Sequence, residues 1–253
     1  MNDTSGDNPP AKGVSIERVL EILERGALEN EHGLMRWSSN YTFLVSVKEG
    51  DEELMAVYKP RRGERPLWDF PDGTLCQRER AAFLTSHQLG WQIVPPTVLR
   101  EGPRGIGSVQ FYVDHDPEMN YFSFDETLLP QAARICAFDV MVNNADRKGG
   151  HVLVDSQGHV WGIDHGITFN SAPKLRTVIW EFAGQPIPTD LLDDMQNLSA
   201  ELENADSAYY QALTELLTER EIAMFKSRTR HLLKTRKFPQ PGPNGPNYPW
   251  PPV

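Results

Sequence analysis

Asp146-Arg147-Lys148-Gly149-Gly150-His151-Val152-Leu153-Val154, followed by Gly162-Ile163-Asp164-His165-Gly166, decides how the chain is read. The first segment carries an acid, then an imidazole five residues on, just where a short apolar run begins. Thirteen residues after His151 a second apolar run ends in Asp164. Between the runs, Asp155-Ser156-Gln157-Gly158 supplies turn-forming residues, so 152–154 and 160–163 are predicted to form a hairpin. A hairpin brings its two open ends together, so Asp146, His151 and Asp164 are expected to converge at one edge.

Upstream of this hairpin, Leu128, Ala132, Ile135, Cys136, Asp139 and Val142 recur at helical spacing. The end of that helix delivers the chain into Asn143-Asn144-Ala145-Asp146. Downstream, 189–203 and 207–217 read as helices, and Thr218 with Glu221 forms a capping box for a last helix to about 234. Nearer the start, Ser15 is the N-cap of an opening helix through Ile16, Val19, Leu20 and Leu23, with Gly26 as its stop. The β-rich runs 42–47 and 54–58, joined by Glu49-Gly50-Asp51, read as a hairpin ending at Lys59. Thr74 and Gln77 have capping-box spacing for a helix to about 89, which carries Glu79. Runs 93–99 and 108–113 complete a small sheet. The expected class is α+β: a sheet-containing N-lobe with its opening helix over 15–114 and a helical C-lobe over 115–237.

The order of these residues resembles the phosphatidylinositol 3-/4-kinase-like family, an atypical branch of the protein-kinase-like superfamily that includes bacterial-type members. That family's catalytic loop reads Asp-Arg-x-x-x-Asn, and an Asp-Phe-Gly-like turn follows the next hairpin. Here the positions are Asp146-Arg147 with His151 in place of the Asn, then Asp164-His165-Gly166. Val57-Tyr58-Lys59-Pro60 is similar to the strand bearing the ATP lysine, and Glu79 to that lysine's helical partner. The resemblance implies a bilobal protein-kinase-like fold and transfer of the γ-phosphate of ATP to a hydroxyl, with Mg²⁺ or Mn²⁺ as cofactor. It implies Asp146 as catalytic base, Arg147 or Lys148 steadying the phosphoryl group, and Asp164 and His151 as metal ligands. Lys59, aligned by Glu79, would hold the α/β-phosphates, and Val113 and Asp114 would meet the adenine. A glycine-rich phosphate loop is missing before Tyr41; the resemblance implies that Ser38, Ser39 and Asn40 cradle phosphate with hydroxyls and backbone N–H groups instead.

Taken singly, these residues have plainer readings: Lys59 as a solvated strand end, Glu79 as an exposed helix residue, His151 as a structural histidine. Their joint order carries the functional reading. Two alternatives use the same residues: a pseudokinase acting as a nucleotide-binding or interaction module, and an enzyme that transfers AMP. A metal-hydrolase cluster of His151, His159 and His165 with Asp146, Asp155 and Asp164 is disfavoured, because His151 and His159 flank the hairpin at different places and no His-x-x-x-His helix accompanies them.

A net charge of −10 across 253 residues argues against nucleic acid as a partner. The acceptor is left as a protein, a lipid or a small molecule. No apolar run is long enough to span a bilayer, and Cys76 and Cys136 offer no disulfide framework, as expected of a cytoplasmic protein with buried thiols. The basic run Lys226, Arg228, Arg230, Lys234, Arg236 and Lys237 reads as a solvated helix face. Residues 1–14 are expected to be disordered. The proline-rich tail 238–253 is expected to be extended or disordered, or to dock through Tyr248 and Trp250.

Overall fold

A computed structural model describes residues 14–34, 41–243 and 245–253, with 30–34 described by their backbone alone. The proposed phosphate cradle Ser38, Ser39 and Asn40 lies outside the described residues, as does most of the N-terminal segment expected to be disordered. The chain divides into two compact units, residues 1–65 with 95–113, and residues 66–94 with 114–253.

The first unit is a five-stranded antiparallel sheet with one helix. Strands β1 (Ala27–Leu34), β2 (Phe43–Glu49), β3 (Glu52–Pro60), β4 (Thr97–Gly102) and β5 (Gly105–Phe111) are ordered β1-β2-β3-β5-β4. Phe43, Val45 and Val47 alternate along β2 and are buried, as the period of a strand dictates. Helix α1 (Ile16–Arg25) packs on this sheet through Val19, Ile22 and Leu23. Burial of that kind stabilises by about 1.5–3 kcal/mol per large aliphatic side chain. Ser15 caps α1 by accepting the Arg18 N–H. Gly26 ends it with φ −60°, not in the left-handed region. A Cβ there would meet the Ile22 carbonyl oxygen at 2.7 Å and Val47 at 2.8 Å, so the glycine permits close approach.

Three sequence expectations change in this unit. Strand β1 carries no alternating apolar signal and was not anticipated. The run expected at 93–99 becomes a strand only from Thr97, because Pro95 and Pro96 have no N–H to give a ladder. Residues 66–94 were expected in the N-lobe but cluster with the helical unit.

The physical reason lies in α2 (Leu75–Gln88). Arg78, almost fully buried, donates to Glu221 at 2.5 Å and to the Thr168 carbonyl at 2.8 Å. Thr85 Oγ1 and the Tyr209 hydroxyl are 2.9 Å apart, and Trp91 Nε1 donates to Asp194 at 2.7 Å. All these partners belong to the second unit. The expected capping box of α2 does not form: Thr74 makes no cap bond and donates to the Pro71 carbonyl.

The second unit is built on α3 (Leu129–Val142), which is buried around most of its circumference. The two-stranded hairpin β6 (Val152–Val154) and β7 (Val160–Gly162) meets it through β7, helix α6 (Glu219–Thr235) packs on it, and α4 (Thr189–Glu203) and α5 (Ala208–Leu216) pack on α6. The Thr218–Glu221 capping box opens α6 as its sequence spacing requires. The basic face of α6 is not uniformly solvated. Arg228 is half-buried and donates to the Met141 and Asn170 carbonyls, whereas Lys226 and Arg230 pair with Glu203.

The described residues of the tail run along this unit. Phe238 is buried, the Asn247 carbonyl accepts from the Thr177 N–H and from Trp180 Nε1, and the Pro252 carbonyl accepts from the Gly149 N–H. Tyr248 and Trp250, the expected docking residues, face solvent; Pro249 is the buried one.

Candidate active site

Helix α3 ends at Asn143 in the left-handed conformation, φ 57°. Its side-chain amide donates to the Asn170 and Ala172 carbonyls, and its oxygen accepts the Lys174 N–H. This turn aims the following residues along a fixed path. Asn144 then accepts the Asp146 N–H at 3.0 Å and donates to Asp139 at 2.9 Å, so the backbone of Asp146 hangs from a buried side chain of α3.

Arg147 points inward, which corrects the expectation that it faces a phosphoryl group. It is fully buried and forks onto Asp139, with Nε to Oδ2 at 2.8 Å and Nη2 to Oδ1 at 3.0 Å. Nη1 donates to the His151 carbonyl at 2.9 Å and to the Ile163 carbonyl at 3.0 Å. Nη2 also lies 2.7 Å from Nε2 of His165. A guanidinium only donates, so that nitrogen accepts and the His165 ring is neutral with its proton on Nδ1. One buried cation therefore ties the loop after α3 to both ends of the hairpin.

The hairpin brings His151 and Asp164 together. Nε2 of His151 is 3.4 Å from Oδ2 of Asp164, and Nδ1 is 3.0 Å from the Asp146 carbonyl oxygen. Asp164 has φ +60°, a conformation that Asp tolerates better than most side chains. Its carboxylate is about half exposed (49%). Lys148 Nζ is 3.4 Å from the Asp146 carboxylate. Burial pushes the Asp146 carboxyl up to about 6, the Asp164 charge adds to the rise, and Lys148 and Arg147 oppose it.

Glu79 is buried and accepts the backbone N–H of His165 at 3.0 Å, which holds the Asp164-His165-Gly166 turn against α2. Asp114 is exposed. Lys59 and Val113 belong to the first unit: Lys59 sits on β3 opposite Ser108, and Val113 is buried just beyond β5. Sequence reasoning missed Asp139, Asn144 and His165 as positioning residues. The available signal was an acid interrupting an apolar helix eight residues before an arginine.

Among the described residues no group of three or more His, Cys, Asp or Glu side chains could hold a metal ion. The pair His151 and Asp164 suits a divalent ion that takes its remaining ligands from phosphate and water.

These features define a kinase-like fold, and the comparisons agree. The profile of the phosphatidylinositol 3- and 4-kinase family matches residues 91–230, a stretch that holds α3, the loop with Asp146 and the hairpin. Protein Rv2133c of Mycobacterium tuberculosis is 40% identical over 255 aligned positions, covering 87% of this chain and 90% of that one. Phosphatidylinositol 4-kinase gamma 2 of Arabidopsis thaliana is 25% identical over 74% of this chain and 42% of its own, so the chain spans less than half of that plant protein. The crystal structure of the Golgi casein kinase with Mn/ADP bound has a TM-score of 0.55 at 13% identity, over 87% of this chain and 75% of that one, a likeness of fold. The fold is the bilobal protein-kinase-like one. The chain belongs to the phosphatidylinositol 3- and 4-kinase family. No helix among the described residues is long and apolar enough to cross a membrane.

Proposed function

We propose that the chain is an ATP-dependent phosphotransferase that moves the γ-phosphate of ATP onto a hydroxyl acceptor. The convergence of Asp146, His151 and Asp164, with His151 bonded to the backbone of one and 3.4 Å from the carboxylate of the other, carries the reading. Asp146 takes the acceptor's hydroxyl proton. The acceptor oxygen then bonds to the γ-phosphorus, the bond to the β–γ bridging oxygen breaks, and ADP leaves with that electron pair. A carboxyl held up to about 6 by burial is ionised at neutral pH and still basic enough to help.

Lys148 is the cation beside Asp146 and is the residue assigned to the transferred phosphoryl group. Arg147 and Glu79 act as positioning residues through His151, Ile163 and His165. Lys59 binds the α/β-phosphates, Ser38, Ser39 and Asn40 cradle them, and Val113 and Asp114 meet the base. Asp164 and His151 would hold a divalent cation, which would neutralise phosphate charge.

Calorimetry with ATP in Mg²⁺ or Mn²⁺ tests this on the wild-type protein beside Lys59→Ala and Asp164→Ala. Metal-dependent binding lost in both variants is expected. Absence of nucleotide binding with either ion would refute the proposal, and label transferred from α- but not γ-labelled ATP would replace it with AMP transfer.

A further inference from the structure

Resting on the phosphotransferase reading, we infer that residues 247–252 form a strap that holds the loop carrying Asp146 and Lys148, and that Asn247 is the positioning residue that seats it. The loop is fixed firmly at its two ends. The Asp146 N–H donates to Asn144, Arg147 is buried on Asp139, and Arg147 Nη1 holds the His151 carbonyl. Between those ends stand Lys148, Gly149 and Gly150. Two successive glycines have the most backbone freedom to lose and no side chain to bury. A Cβ at Gly150 would meet nothing within 4 Å. Gly149 is where the stretch is gripped: a Cβ there would stand 2.6 Å from the Phe122 ring, and its N–H donates to the Pro252 carbonyl at 2.8 Å.

Segment 176–178 joins the strap to the loop. The Arg147 N–H donates to the Arg176 carbonyl at 3.0 Å, and the Val178 N–H donates to the Arg147 carbonyl at 3.1 Å. Thr177, turned the other way by the alternation of an extended chain, donates its N–H to the Asn247 carbonyl at 3.1 Å. Trp180 Nε1 donates to the same carbonyl at 3.0 Å. The Asn247 side chain locks its own backbone in place: Oδ1 accepts the Gly242 N–H at 3.0 Å, and Nδ2 donates to the Gly242 carbonyl at 2.8 Å. Loop and strap thus share one segment, and the strap meets the loop again at Pro252.

The composition of the strap makes this hold conditional. Pro249, Pro251 and Pro252 have no N–H to give, so the carbonyls of Asn247 and Pro252 fasten it by accepting from the body. Tyr248 and Trp250 face solvent, and within 247–253 Pro249 alone is buried. A segment with so few buried apolar contacts opens at far lower cost than the core around α3. Seated, the strap fixes the backbone on which Lys148 stands beside Asp146. Lifted, it returns the glycine pair to its own freedom, and the separation of those two side chains is no longer set.

The test is hydrogen exchange of single amides by NMR on the wild-type protein and Asn247→Ala, beside release of γ-label from ATP to water. The Gly149 and Thr177 amides should be protected in the wild type, and Asn247→Ala should speed both by about tenfold while leaving α3 unchanged. Label release should fall about tenfold in kcat, with nucleotide affinity by calorimetry within roughly twofold. Adding Gly150→Ala, which stiffens the loop where space is open, should recover about threefold of that turnover without restoring protection at Thr177. Exchange at Gly149 that is unprotected in the wild type, or unchanged by Asn247→Ala, would overturn the inference. So would acceleration spread evenly through α3, which is general destabilisation, and so would turnover that stays level or rises as the strap loosens. A wild type that releases no label would remove the phosphotransferase reading alone, because exchange at Gly149 still decides whether the strap holds the loop.

Discussion

Replacing Asp139 with Ala leaves the Arg147 guanidinium without its carboxylate in a site where both side chains are fully buried. Two of its hydrogen bonds disappear, and Asn144 loses the acceptor of its amide. Removing one partner of a buried pair costs about 3–5 kcal/mol, because the remaining charge stays desolvated. For a chain of this size that corresponds to a fall in Tm on the order of 10 °C. The half-exposed pair Arg230–Glu203 supplies the contrast, since Arg230→Ala should cost no more than about 1 kcal/mol. Thermal and urea unfolding, followed by circular dichroism, measure both. The paired replacement Asp139→Leu with Arg147→Met should recover much of the stability, because an apolar pair carries no desolvation penalty. Nucleotide-dependent turnover should not recover with it, because the carbonyls of His151 and Ile163 would have lost their common donor. An Asp139→Ala variant within about 1 kcal/mol of wild type would refute the reasoning.

Asp146→Asn should lower turnover by about 10²–10⁴ while changing nucleotide affinity by roughly twofold or less, checked by steady-state kinetics beside calorimetry. The pH profile follows from the Asp146 carboxyl, which rises from an ordinary 3.8 to about 6 in the fold. The native state thus holds a proton that the unfolded chain has released, so this group's contribution makes stability fall as pH rises through that window. Activity should rise across the same window, because the base must be ionised; kcat/KM that stays flat through about pH 6 would remove Asp146 from this role. Cys76 and Cys136 are both buried, and burial together with the Asp139 charge pushes the Cys136 thiol up. Neither should react with a thiol reagent until the chain is unfolded, and rapid labelling of the native protein would contradict that.

The hairpin was legible because its apolar runs and turn residues are local signals, and strand ends 152 and 162 fix where His151 and Asp164 must lie. The caps at Ser15 and Thr218 were legible for the same reason. What the sequence hid is burial and side-chain direction. Asp139 reads as an interruption of an apolar stripe, and only the packed helix reveals that its carboxylate meets Arg147. Arg147 itself can face solvent or core on identical local evidence, and the core won because five acceptors surround it. The pattern of α2 gave a helix but not its neighbours, since Arg78 and Thr85 find partners 143 and 124 residues away. Strand β1 was invisible because Leu28, only half-buried, is flanked by exposed Ala27 and Glu29.

The seat of Pro252 on Gly149 bears on how the protein should be handled. Val253 lies one residue beyond that contact, so anything joined to it begins beside the loop that carries Asp146 and Lys148. A bulky group attached there would compete with Pro252 for that seat. On the phosphotransferase reading, an acceptor search is best run on protein in which Pro252 keeps its seat on Gly149.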